Sequence, residues 1–350
     1  MITRRPTRRW SRPSLAVAVD AVVAVVEARA RRLNAWLYGP GCRRERRAPM
    51  TAAEAYATRF DAYWAQQARL FGKQPDAYTP EAASTFRFDP HRKLGPNLAF
   101  YASYVEPEDV VIDVGGGAGR VGLPLALRCR EVINVEAAPA MGAEFEACAA
   151  EARITNVRLV QADWLEAEHL FGDVCLALGV LDWDPAMREL TPFVAKLAVA
   201  ARRRVMINVI THAVPFTASD PSYVDLFRQL YGEEPELYPG YREVLPVLWE
   251  MGILPEVRVL PLTVGEDWGW GAQSMQRQEA LDMVLGFLTP PWASEANRRG
   301  HEFQTRARGL AEAHLDQLFA ETPEGLRPLA SGHELLITWD SRQGRLQSRQ

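Results

Sequence analysis

The sequence predicts an α/β protein built on a doubly wound parallel sheet. Three observations carry that prediction. Between residues 109 and 210 short apolar segments alternate with helical ones, the βαβα rhythm of a parallel sheet. Residues 110–114 read Val-Val-Ile-Asp-Val, and so continuous an apolar run fits a strand covered on both faces. A glycine cluster follows at once (Gly115, Gly116, Gly117, Gly119), where the chain can turn sharply and bring its backbone close to a ligand.

In chain order, residues 51–71 read as a helix opened by the capping signal Thr51-x-x-Glu54. Its aromatics (Tyr56, Phe60, Tyr63, Trp64, Phe71) recur at spacings of three and four, so several share one face. That face suits packing on the main domain or closing over a substrate. A second helix is expected at 91–104. Strands follow at 109–114, 131–136, 156–161, 173–178 and 204–210, with helices at 119–129, 139–152, 165–170 and 186–201. Pro124 falls near a first helical turn, where proline is tolerated. Later helices are expected at 222–231, 241–251, 276–288 and 301–320, and strands at 254–262 and 333–339. The organisation read from this is a basic extension (1–49), a helical cap (50–105), a core (106–262), a helical insertion (263–332) and a last core strand (333–340).

Charge is unevenly spread. Twelve of the 40 basic residues lie in 1–49 against three acids, which leaves 28 basic and 41 acidic residues, a net −13, in 50–350. An acidic body argues against nucleic acid as a partner. Residues 15–37 follow basic residues with an apolar run, as a signal peptide would, but Asp20 interrupts the run and no cleavage site is clear. No apolar stretch reaches the roughly 18 residues needed to span a bilayer. The four cysteines (Cys42, Cys129, Cys148, Cys175) form no CxxC pair and read as buried thiols, so a cytoplasmic setting is expected. The six histidines stand apart, no HExxH occurs, and no metal is expected.

Asp113-x-Gly115-x-Gly117-x-Gly119 has the spacing D-x-G-x-G-x-G. It resembles motif I of the class I S-adenosylmethionine-dependent methyltransferases, a likeness covering about residues 85–262 and the strand at 333–339. The resemblance implies a Rossmann-like, seven-stranded sheet with one antiparallel strand, and S-adenosylmethionine as cofactor. It implies that the loop glycines, Gly116 among them, meet the cofactor's methionine part, and that Asp113 contacts that part or orders the loop. Glu136, with Ala137 beside it, ends the second strand. A carboxylate there offers two acceptor oxygens to the two ribose hydroxyls. After the third strand, Asp163 would accept from the adenine amino group and Trp164 would pack on the ring. Gly179 follows the fourth strand, where the family closes over the methyl donor.

A rival pattern overlaps. Gly117-x-Gly119-x-x-Gly122 satisfies the dinucleotide fingerprint G-x-G-x-x-G, which would make the chain an NAD(P)-dependent oxidoreductase. Three features favour the methyl donor: Asp113 before the glycines, Asp163-Trp164 two strands later, and the very short helix that would remain if Gly122 lay in the turn.

Methyl transfer is an in-line displacement that needs alignment and exclusion of water more than a dedicated base. No Asn/Asp-Pro-Pro-Tyr follows the fourth strand and no Pro-Cys nucleophile occurs, against the DNA-directed members. The expected acceptor is a small molecule. Base candidates are His212, just past the fifth strand, and Asp182, after the fourth; Asp184 shares that loop. Both strand ends lie at the carboxyl edge, where open α/β sheets bind ligands. Trp268 and Trp270, set between glycines in 265–271, suit a loop that closes over an apolar substrate. A catalytically silent S-adenosylmethionine-binding module is the reading from outside enzymology.

Overall fold

The computed structural model describes residues 50–72, 78–181, 185–210, 218, 220–261, 274–290, 300–329 and 333–342, together with Ala28. Its strands are β1 (Val110–Val114), β2 (Glu131–Glu136), β3 (Val157–Gln161), β4 (Gly172–Ala177), β5 (Ala201–Ile210), β6 (Glu256–Pro261), β7 (Phe319–Thr322), β8 (Gly325–Pro328) and β9 (His333–Asp340). Seven form one sheet in the order β3-β2-β1-β4-β5-β9-β6, while β7 and β8 pair with each other. β1 to β5 run parallel, and β9 is antiparallel to both of its neighbours. This is the doubly wound sheet the sequence predicts, with the antiparallel strand between β5 and β6.

Alternation along the strands sends side chains to opposite faces. Val110, Ile112 and Val114 face α1 (Ala52–Phe71), a helix at Leu190–Ala200 and another at Tyr241–Glu250, meeting Tyr56, Phe60, Phe193, Leu197 and Leu248. Val111, Val132 and Leu176 face the other way, onto Leu98, Leu123, Leu125 and Phe145. Those four come from three further helices, at Pro96–Ala102, Gly122–Ala126 and Pro139–Glu151. In chain order the helices are α1, α2 (Pro80–Ser84), α3 (96–102), α4 (122–126), α5 (139–151), α6 (190–200), α7 (Pro221–Tyr231), α8 (241–250), α9 (Arg277–Leu288) and α10 (His301–Leu318). Burying each large apolar side chain contributes about 1.5–3 kcal/mol, so two covered faces secure the sheet. A separate cluster joins α7, α9, α10 and the β7–β8 hairpin to Leu70 and Phe71 at the end of α1.

α1 begins as its sequence predicts. Thr51 Oγ1 accepts from the Glu54 N–H (3.1 Å), and Glu54 Oε2 accepts from the Thr51 N–H (2.8 Å). Its aromatic face packs rather than gapes: Tyr56, Phe60 and Phe71 are buried, and Tyr238 meets both Phe60 and Tyr63 edge-on.

Several elements differ from expectation. The helix expected at 91–104 is confined to α3, which starts on Pro96 with its fixed φ at the first turn. The expected 119–129 helix shrinks to the five residues of α4, because the loop continues through Val121. No helix forms at 165–170; the carbonyls of Trp164, Leu165 and Ala167 are drawn instead to the ammonium of Lys196. The expected 186–201 helix divides into a 3-10 turn at Pro185–Arg188 and α6, with β5 starting at Ala201. The stretch 263–332, read as mostly helical, contains the β7–β8 hairpin, in which Gly325 adopts φ 130°. Among the described residues no helix is long and apolar enough to cross a membrane.

Candidate functional site

The site is built from the carboxyl ends of β1, β2 and β4. Beyond Val114 the glycine loop is tied to β2 rather than left to wander. The Gly115 N–H donates to the Val135 carbonyl (2.8 Å) and Asn134 Nδ2 donates to the Gly117 carbonyl (3.0 Å). Gly115 adopts φ 65°, and a Cβ there would lie 2.6 Å from Cγ2 of Val180 in the loop after β4. Both the turn and the closeness of the two loops therefore require glycine.

Glu136 is the hinge pin of this arrangement. Its Oε2 accepts from the Gly117 N–H at 2.9 Å and its Oε1 from the Ala138 N–H at 2.8 Å. The carboxylate, 9% exposed, is thus oriented before any ligand arrives. Ala137 beside it is exposed. The acid expected to meet the ribose stands at the end of β2, tied to the glycine loop through Gly117.

Asp113 lies beneath the loop, not on its surface. It is 2% exposed, and its Oδ2 makes no hydrogen bond. A Cβ at Gly116 would sit 2.7 Å from that oxygen, and one at Gly122 2.8 Å from it. Burial pushes the Asp113 carboxyl up to about 7, while Arg120 and the Gly122 N–H pull the other way and Glu136 adds to the rise. Asn134 Oδ1 borders the same Gly116 backbone and is also without a donor. Asp113 therefore shapes the floor of the loop.

Gly122 opens α4 and packs closely on Asp113 and Val132. A third glycine of a dinucleotide fingerprint has that packing role. The argument from helix length loses its force, since a helix of five residues is what forms.

Asp163 and Trp164 follow β3, but their roles divide. Asp163 is half-buried, and its Oδ1 accepts from the Leu165 N–H at 2.7 Å, holding the turn. Trp164 is 4% exposed, with Nε1 donating to the Phe193 carbonyl (3.4 Å) and the Lys196 ammonium 4.8 Å from its ring centroid. Its ring is core, packed with α6, and offers no open stacking face; the expected adenine contact is corrected on that ground. The buried Lys196 ammonium, its pKa lowered by desolvation, ties the loop to α6 through three carbonyls. Lys196→Met would leave those carbonyls unpaired, at about 1–3 kcal/mol for each buried group. We expect a loss of roughly that size in urea unfolding at unchanged m-value; an unchanged midpoint would remove Lys196 from the loop's support.

Gly179 is half-buried after β4 at φ 76°, and its N–H donates to Asn208 Oδ1 at 2.6 Å. The base candidates His212 and Asp182, the neighbouring Asp184, and the tryptophan loop around Trp268 and Trp270 lie outside the described residues. Among the described residues no His, Cys, Asp and Glu group is arranged to hold a metal ion. The supporting polar residues Asn134, Lys196 and Asn208 were missed by motif reading. The signal for two of them was present: a lone amide inside the apolar runs Val-Ile-Asn-Val and Met-Ile-Asn-Val.

The strand order, with its single antiparallel strand next to last, decides the architecture. The fold is the Rossmann-like one of class I methyltransferases. No family model matches the chain. A probable dimethyladenosine transferase of Dictyostelium discoideum is 30% identical over 76 residues, which is 21% of this chain and 24% of that protein. The match thus spans about a quarter of that relative's length. Similar solved structures include a SAM-dependent methyltransferase from Thiobacillus denitrificans in complex with S-adenosyl-L-homocysteine. It is 11% identical at TM-score 0.43, covering 76% of this chain and 100% of that one. Another, from Geobacter sulfurreducens and also with S-adenosyl-L-homocysteine, is 15% identical at TM-score 0.41, covering 73% and 95%.

Proposed function

We propose that this chain is an S-adenosylmethionine-dependent methyltransferase acting on a small-molecule nucleophile. The observation that supports it best is Glu136: a carboxylate fixed by two backbone donors at the end of β2, against a glycine loop raised over Asp113. In this reading Gly115, Gly116, Gly117 and Gly119 bring backbone to the methionine part of the cofactor. Glu136 and Ala137 border the ribose, Asp163 the adenine amino group, and Gly179 the methyl donor. Trp164 serves by anchoring the Asp163 turn.

When bound, the cofactor supplies a methyl group already activated on a sulfonium. What remains for the chain is to hold that group, align the acceptor and keep out water. Charge-assisted bonds to a diol contribute about 1.5–3 kcal/mol each, and they are strongest from an acceptor that needs no reorientation. His212 and Asp182 are the candidates for relieving the acceptor of its proton, both from loops at the carboxyl edge. We place the reaction in the cytoplasm, with a small molecule rather than nucleic acid as partner.

The close packing of Gly122 on Asp113 and Val132 favours a second reading, a dinucleotide site. Calorimetry separates the two. We expect binding of S-adenosylhomocysteine and none of NAD(P); preference for NAD(P) would overturn the proposal. Turnover of a panel of small-molecule acceptors with a labelled methyl donor then distinguishes an enzyme from a silent binding module.

A further inference from the structure

Glu334, near the start of β9, is a carboxylate with no exposure at all. Burying a charge costs several kcal/mol unless donors converge on it. Here they do. Asn97 Nδ2 donates at 3.0 Å and the Tyr101 hydroxyl donates to the other oxygen, both from α3. Asn208 Nδ2 donates from the neighbouring β5, and the half-buried Arg120, at the end of the glycine loop, feels the attraction of Glu334 first among its charged neighbours.

The Asn208 bond has a directional consequence. A carboxylate can only accept, so the amide NH₂ of Asn208 must face Glu334. The amide oxygen is thereby turned outward, where it accepts the Gly179 N–H at 2.6 Å. Gly179 leads into Val180, which packs against Gly115. A chain of contacts thus runs from β9 through β5 to the loop after β4 and on to the glycine loop. An apolar cluster would fill this space without the desolvation cost, but it could not orient an amide.

We infer that Glu334 is a positioning residue: by polarising and orienting Asn208 it fixes the Gly179–Val180 loop against the glycine loop at the donor site. The inference rests on the reading of those loops as the S-adenosylmethionine site, and its test is built to separate the two. In the full chain, Asn208→Asp keeps an acceptor for Gly179 but turns a second carboxylate on Glu334. It should weaken S-adenosylhomocysteine binding roughly tenfold or more. Adding Glu334→Gln reverses the donor and acceptor. The amide introduced on β9 now donates to the carboxylate introduced on β5, which still accepts from Gly179, and the net charge is restored. The double variant should bind within about threefold of the parent.

Amide exchange of Gly179 gives a readout without any cofactor. It should be protected in the parent and in the double variant, and at least roughly tenfold faster in Asn208→Leu. If the parent fails to bind S-adenosylhomocysteine while the exchange pattern holds, the cofactor reading falls and the positioning role stands. If the parent binds S-adenosylhomocysteine but the folded double variant binds no tighter than Asn208→Asp, or if Asn208→Leu leaves Gly179 protected, the inference is wrong.

Discussion

Glu136→Ala is expected to weaken S-adenosylhomocysteine binding on the order of a hundredfold. Two losses combine. The first is direct: in the proposed function the carboxylate is the charge-assisted acceptor for the ribose diol, about 1.5–3 kcal/mol, or roughly ten- to a hundredfold. The second acts through the protein. Without the carboxylate the N–H groups of Gly117 and Ala138 lose their acceptor, and the glycine loop loses a tie to β2. Glu136→Gln separates these contributions. An amide has one acceptor oxygen and must turn its NH₂ toward one of the two backbone donors, so it keeps one anchor and should fall between parent and alanine variant. Isothermal titration of the three proteins at one pH and salt concentration measures the series. Equal affinity in all three would remove Glu136 from the site.

What could be read from the sequence, and what could not, divides along physical lines. The strands of the sheet were legible because both faces are covered, so β1, β2, β4 and β5 appear as apolar runs that little else explains. The glycine loop was legible because a positive φ and a close backbone approach exclude other residues, as at Gly115. Trp164 was misread because its neighbour in space, Lys196, lies 32 residues away; only the fold brings an ammonium over that ring and fills its open face. The same reason hid Glu334, whose partners Asn97, Tyr101 and Asn208 come from two other elements. Helix ends were lost where a side chain competes for the backbone. The carbonyls of Trp164, Leu165 and Ala167 converge on Lys196 where a helix was expected.

Asp113 makes the other large prediction, and its sign follows from linkage. In the unfolded chain its carboxyl ionises near pH ~4, while in the fold burial holds it protonated up to about 7. Between those values the folded state binds the extra proton, so raising the pH removes stability. The loss begins near pH ~4, is complete just above about pH 7, and at about 1.4 kcal/mol per pH unit amounts to roughly 4 kcal/mol. Asp113→Asn has the shape of the protonated acid and no charge to desolvate. Its NH₂ can also donate toward Asn134 Oδ1, which has no donor in the parent. Arg120 loses one attractive charge but keeps that of Glu334, so the gain is not cancelled by a stranded cation. Urea unfolding of parent and variant without ligand should therefore coincide at about pH 4 and diverge as pH rises, with the variant more stable by several kcal/mol at about pH 8. Parallel curves across that range would mean that Asp113 is ionised throughout, and that Arg120 holds it more firmly than burial opposes it.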